Sequence, residues 1–211
     1  IVIGGESAGA NIALSVALHI RDGRSPLPAP KGLALMSPWA DLVDAMEQTS
    51  SSWTNNEVCF VLPDLAELFA RWVLVAQKHG GVQWDAEGKE KFAELDKEAL
   101  IALAKNADVS PALAKSFQGL PHTLVTIGDC ETLRDSQLQL VERLREDGVT
   151  IEKEVYEDMP HAFALANFVA GGCCEQPSAV VDRFAAFVDA RCGVPFPKQP
   201  ATGGCKCCDI L

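Results

Sequence analysis

Gly5-Glu6-Ser7-Ala8-Gly9 sets a serine between two glycines. It follows the β-branched run Ile1-Val2-Ile3 after Gly4 and directly precedes an apolar stretch that continues to Ile20. A strand that turns sharply into a helix holds such a serine in strained backbone angles, and small neighbours let the turn close. The hydroxyl then stands at a helix N-terminus, where unpaired N–H groups and the helix dipole favour developing negative charge. That is the setting of an activated nucleophile, with the Ala8 N–H as one oxyanion donor.

An alkyl hydroxyl needs a base, and the base needs a carboxylate to orient it. The chain offers four histidines. His19 falls inside the apolar helix and reads as a buried core residue. His79 sits at a helix C-terminus, where positive charge is favoured. His122 opens a strand beside Pro121. Only His161, after Met159-Pro160, lies in a loop at the C-terminal end of a strand, where open α/β sheets place their sites. It is the expected base. The acid should follow the preceding strand, in Gly128-Asp129-Cys130-Glu131-Thr132-Leu133-Arg134-Asp135. Asp135 belongs to the next helix as a cap or ion-pair partner. Position alone leaves both Asp129 and Glu131 open as the acid.

The elements that must position these groups follow from periodicity and punctuation. Residues 1–3 end a strand, 7–20 form a buried helix, and 31–36 form a strand closed by Ser37-Pro38-Trp39. Residues 41–118 read as a helical excursion. It holds a polar loop at 48–56, an amphipathic helix from Pro63 to His79 stopped by Gly80-Gly81, and a solvent-facing helix over 85–105. Strands are expected at 122–127 and 150–156, and helices at 133–147, 160–169 and 178–192. Strands separated by helices make this an α/β chain: a mostly parallel sheet with helices on both faces and right-handed crossovers. The domain is expected over 1–192. The tail at 193–211, rich in proline, glycine and cysteine, is expected to be disordered.

Composition narrows the chemistry. The 211 residues carry 18 Lys+Arg against 29 Asp+Glu, a net charge of −11. That balance argues against nucleic acid or an anionic membrane as the main partner, because phosphate binding needs clustered cations. No apolar run reaches the roughly 18 residues of a spanning helix. The eight cysteines are unevenly spaced and make no disulfide framework, so free thiols in a cytoplasmic protein are expected. No cysteine or histidine spacing suits zinc, and no metal site is expected. The chain opens without methionine, inside a strand, and so reads as N-terminally incomplete.

The order serine, acid, histidine is that of the α/β-hydrolases. The chain resembles their hormone-sensitive-lipase-like esterases through GESAGAN at 5–11, SPWADL at 37–42, VSP at 109–111, GDCETLRD at 128–135 and MPHAF at 159–163. The resemblance implies Ser7 as nucleophile and His161 as base. It implies Glu131 as acid, three residues before Arg134, where the family usually has aspartate; Asp129 is the alternative. It implies the C-terminal portion of the α/β-hydrolase fold, no cofactor, and short- to medium-chain acyl esters as small-molecule substrates. Phe60, Leu62, Leu68, Phe69 and Trp72 are candidate pocket walls. The family's HGGG-type segment, which supplies further oxyanion N–H groups, is not in this sequence. Its earlier strands and N-terminal cap are also missing, which would leave a sheet edge exposed. The other readings are a catalytically inactive fragment, a ligand-binding receptor-like relative, or a peptidase or acyltransferase on the same fold.

The last residues, Cys208-Asp209-Ile210-Leu211, have the form of a prenylation signal, with Cys205 and Cys207 as neighbouring sites for a second lipid. Membrane association is expected only if that tail is lipidated. A homo-oligomer is compatible with the sequence.

Overall fold

A computed structural model describes residues 1–57, 59–81, 86–165 and 175–193. Its strands are β1 (Val2–Glu6), β2 (Gly32–Met36), β3 (Thr123–Gly128) and β4 (Ile151–Tyr156). They pair in the order β1-β2-β3-β4, and all three pairs are parallel. The helices are α1 (Ala8–Arg21), α2 (Leu42–Glu47), α3 (Pro63–His79), α4 (Ala86–Glu94), α5 (Lys97–Ala104), α6 (Arg134–Glu146) and α7 (Glu175–Cys192). This is the expected α/β architecture.

Strand alternation divides the core between the two faces of the sheet. Leu33, Leu35, Val125 and Ile127 pack with Leu14 and Leu18 of α1 and with Leu140 and Leu144 of α6. Ala34 and Leu124 point the other way, onto Phe187 of α7. At the outer strand, Glu152 and Glu154 of β4 pair with Arg183 of α7, and Arg191 joins Glu152 at 3.2 Å. Parallel pairing puts every strand's C-terminal end on one edge of the sheet. Glu6 stands opposite Met36, Met36 opposite Thr126, and Gly128 opposite Tyr156. The loops that leave these residues therefore share one rim.

The excursion has a small core of its own. Met46, Trp53, Leu74 and Leu100 pack together with Leu133, which leads into α6. Asp41 starts α2 by accepting from the Val43 and Asp44 N–H groups at 2.9 and 3.2 Å. Helix α3 begins at Pro63 and stops at the left-handed Gly80, as the sequence predicts.

Four expectations need correction. The helix expected over 85–105 is two, because Asp96 leaves helical geometry and caps α5, its carboxylate accepting from the Ala99 N–H at 2.8 Å. The segment 51–57 is a 3-10 helix, where a loop was expected. Within 160–169 the described residues make no α-helix: Ala162 has φ +57°, and a short 3-10 turn follows at Phe163–Leu165. Helix α1 is not buried all round: Ile12 is 64% exposed, and with Val16, Leu27 and Val73 it lines an open groove of about 570 Å³. Apolar composition gives a face the capacity to be buried without supplying the element that covers it. His19, on the same helix, is correspondingly half-exposed and bonded to Asp108 at 3.0 Å.

Helix α7 starts three residues before the expected 178. Residues 166–174 and the tail from 194, with Cys205, Cys207 and Cys208, lie outside the described residues. Among the described residues no helix is long and apolar enough to cross a membrane.

Asp96→Ala is expected to lower stability by about 1 kcal/mol, the usual worth of a helix N-cap. The urea midpoint at neutral pH measures it.

Candidate active site

Ser7 occupies the single residue between β1 and α1, at φ 55° and ψ −119°. Such angles are costly for a residue with a side chain and persist only where the surroundings impose them. Here they do. The Ser7 N–H donates to the Met36 carbonyl at 2.9 Å, and the Ser7 carbonyl accepts from Trp39, Ala10 and Asn11. Gly5 is required by the same turn: a Cβ there would lie 2.2 Å from the Gly9 carbonyl oxygen. The first N–H groups of a helix have no intrahelical acceptor, so the N–H of Ala8, an exposed residue, is free of the helix ladder beside Ser7. Asn11 ties this helix start to two loops, donating to the carbonyls of Trp39 at 3.1 Å and Val109 at 2.9 Å.

His161 arrives from the far edge of the sheet. The loop after β4 turns at Asp158, φ +58°, and crosses the end of β3 so closely that a Cβ on Gly128 would lie 2.2 Å from the Met159 carbonyl oxygen. That carbonyl accepts from the Cys130 N–H at 3.1 Å. The crossing brings the His161 ring to Ser7, with Nε2 2.7 Å from Oγ. Its other nitrogen, Nδ1, is 2.8 Å from Glu131 Oε2. His161 and Glu131 are 2% and 0% exposed.

Of the two carboxylates that position left open, only Glu131 meets the ring. Asp129 turns to its own loop: its N–H donates to Tyr156, its carbonyl accepts from Arg134, and its carboxylate faces the Cys130 thiol. Burial and that carboxylate push the thiol above its ordinary value. Asp135 takes the ion-pair role expected of it. Burial opposes its ionisation, but donors from Ser51, Arg134 and the Ser52 N–H outweigh burial and hold it below the ordinary aspartate value.

Three neighbours of the site escaped the sequence reading. Ser37, at φ +42°, and Gln137, in the first turn of α6, both donate to the Glu131 carboxylate at 2.7 Å. SPWADL marked the first as part of a motif without a role; nothing in the sequence marked the second. Glu6 is the third. Burial raises its carboxyl above the ordinary 4.5, with attraction to His161 partly offsetting this and repulsion from Glu131 adding to it.

The candidate pocket walls divide. The Phe60 ring meets His161 edge-on, centroids 5.8 Å apart. Leu62, Leu68 and Phe69 are exposed. Trp72 instead packs edge-on against Phe92 of α4 at 5.5 Å, inside the excursion. Ala8 also stands at the rim of the apolar groove along α1. Among the described residues no group of acidic, histidine or cysteine side chains is arranged to hold a metal ion.

A serine on a strand-to-helix turn, joined through histidine to a carboxylate along the C-terminal rim of a parallel sheet, defines a class. The chain belongs to the alpha/beta hydrolase fold family, whose model matches residues 1–165. It is similar to an esterase of Acinetobacter venetianus, 30% identical over 176 residues, spanning 79% of this chain and 46% of that protein. An acetyl-hydrolase of Streptomyces hygroscopicus is 27% identical over 163 residues, 77% of this chain and 44% of that protein. A solved hormone-sensitive lipase from a metagenome library superposes with a TM-score of 0.64 at 25% identity, covering 90% of this chain and 54% of that one. The chain thus spans about half the length of these relatives.

Because Glu6 ionises less readily in the folded chain than in the unfolded one, it costs stability at neutral pH. That cost disappears as pH falls through its raised value toward 4.5. Glu6→Gln is therefore expected to be more stable than wild type at pH 7, with the gap closing toward pH 4.5. Urea midpoints of both chains across that range test it.

Proposed function

We propose that the chain carries the catalytic core of a serine carboxylic ester hydrolase. The observation that carries this reading is the continuous line of short contacts Ser7 Oγ–His161 Nε2 and His161 Nδ1–Glu131 Oε2, at 2.7 and 2.8 Å. In this reading Ser7 attacks the ester carbonyl while His161 Nε2 takes its proton. Glu131 holds the Nδ1–H tautomer and stabilises the imidazolium as it forms. The Ala8 N–H donates to the oxyanion. His161 then gives the proton to the leaving alkoxide, and water, activated by the same ring, releases the acid from the acyl-serine. Each step uses groups of this chain and needs no metal or organic cofactor.

Short- to medium-chain acyl esters are the proposed substrates. The apolar groove that starts at Ala8 and the Phe60 ring over His161 support an apolar acyl or alcohol group. The printed names of the relatives, an esterase and an acetyl-hydrolase, support ester chemistry.

Ser7→Ala should abolish both hydrolysis of p-nitrophenyl esters and labelling by a fluorophosphonate probe. Retained turnover would remove Ser7 from the mechanism. A wild-type chain that neither turns over esters nor takes label on Ser7 would favour an inactive or receptor-like relative. Glu131→Gln should lower kcat by about 10³- to 10⁴-fold, the size expected when the orienting carboxylate is neutralised. Asp129→Asn should leave kcat close to wild type, and the reverse ranking would move the acid to Asp129.

A further inference from the structure

Glu131 is sealed from water, and among the described residues His161 is the one basic side chain within ion-pair reach of it. Its charge is instead met by four donors, two on each oxygen. Oε1 accepts from the Gly128 N–H at 2.6 Å and from the Ser37 hydroxyl at 2.7 Å. Oε2 accepts from the Gln137 amide at 2.7 Å and faces His161 Nδ1 at 2.8 Å. The two side-chain donors are themselves buried, Ser37 and Gln137 each 1% exposed.

The terminal torsion of a glutamate is soft, and a glutamate has one more rotatable bond than the aspartate usual in the family it resembles. A single histidine contact leaves the carboxylate plane free to turn about that torsion. Gly128 and His161 give each oxygen one donor; Ser37 and Gln137 give each a second from a different direction and hold the plane against rotation. Ser37 does more, since its Oγ also accepts from the Ala162 N–H at 3.3 Å and so pins the acid to the residue after His161. Gln137 has no other evident use. Its Oε1 is buried without a hydrogen-bond partner among the described residues, a penalty an apolar side chain would not carry. Turning the amide over would set that oxygen against the carboxylate, so the nitrogen must face Glu131.

We infer that Ser37 and Gln137 are positioning residues that lock the Glu131 carboxylate so that Oε2 holds the His161 Nδ1–H tautomer, leaving Nε2 free to accept the Ser7 proton. The inference rests on the proposed hydrolase reading for its catalytic consequence but not for its structural one. Without the lock the carboxylate turns, the ring loses its fixed partner, and the Nε2–H tautomer, which cannot take the serine proton, becomes populated.

The test is the tautomeric state of His161, read from imidazole nitrogen shifts in long-range proton–nitrogen correlation spectra of the 211-residue chain above pH 7.5. Wild type should show the Nδ1–H form alone. Gln137→Met, which keeps the volume, and Ser37→Ala should each show a mixture. In ester turnover the same two variants should lose about tenfold in kcat, the worth of one hydrogen bond to a charged group, with KM little changed. A wild-type spectrum already mixed, or variants whose spectrum and kcat both match wild type, would overturn the inference. A predicted spectral change in a chain without ester turnover would uphold the lock and sink the hydrolase reading. Normal ester turnover with both variants matching wild type in spectrum and in kcat would do the reverse.

Discussion

One buried carboxylate sets the terms for this molecule. An ionised glutamate removed from water is tolerable only when its oxygens are fully met, and here they are met from four directions. Gly128 comes from the end of β3, Ser37 from the end of β2, Gln137 from the first turn of α6, and His161 from the loop beyond β4. These donors can converge only if the parallel strands end on one rim in the observed register. The sheet brings them there, and Leu133, adjoining the excursion's core, anchors the start of α6.

Strain is concentrated on the same rim. Among the described residues, four of the five non-glycine residues with positive φ are Ser7, Ser37, Asp158 and Ala162, all in loops leaving strand ends; Gln48 closes α2. Each holds a turn that aims a neighbouring group at the site. The packed layers behind them, with Leu14, Leu35, Ile127 and Leu140 on one face and Phe187 on the other, give these turns a rigid base.

Much of this was legible in the residues. Alternation and punctuation located the four strands, and Pro63 with Gly80 fixed both ends of α3. The serine between glycines and the histidine after a strand pointed to the pair that meets. The choice between Asp129 and Glu131 was not legible from position, since both follow β3; the resemblance chose Glu131, and the turn at Gly128 aims it at the ring. Where the reading failed, the deciding term was tertiary. Asp96 broke a helix that its neighbours favoured, because a carboxylate could cap. Residues 160–165 gave up helical geometry to carry His161 across the sheet. Gln137 reads as one more polar residue on an amphipathic helix until its partner six positions earlier is seen.

The loop that carries His161 crosses the ends of β3 and β2 to reach a residue 154 positions away in the chain. Among the described strands the order follows the chain, so the sheet can grow one strand at a time, yet the Ser7–His161 contact joins the loops that follow β1 and β4. It cannot close while any intervening pair is unformed or out of step, because a one-residue slip turns every side chain to the other face. Contacts so distant in sequence come late in folding. Ser7 thus meets His161 only once the sheet from β1 to β4 is formed, and in partly folded chains, with their strand edges open to one another, the two residues are held apart.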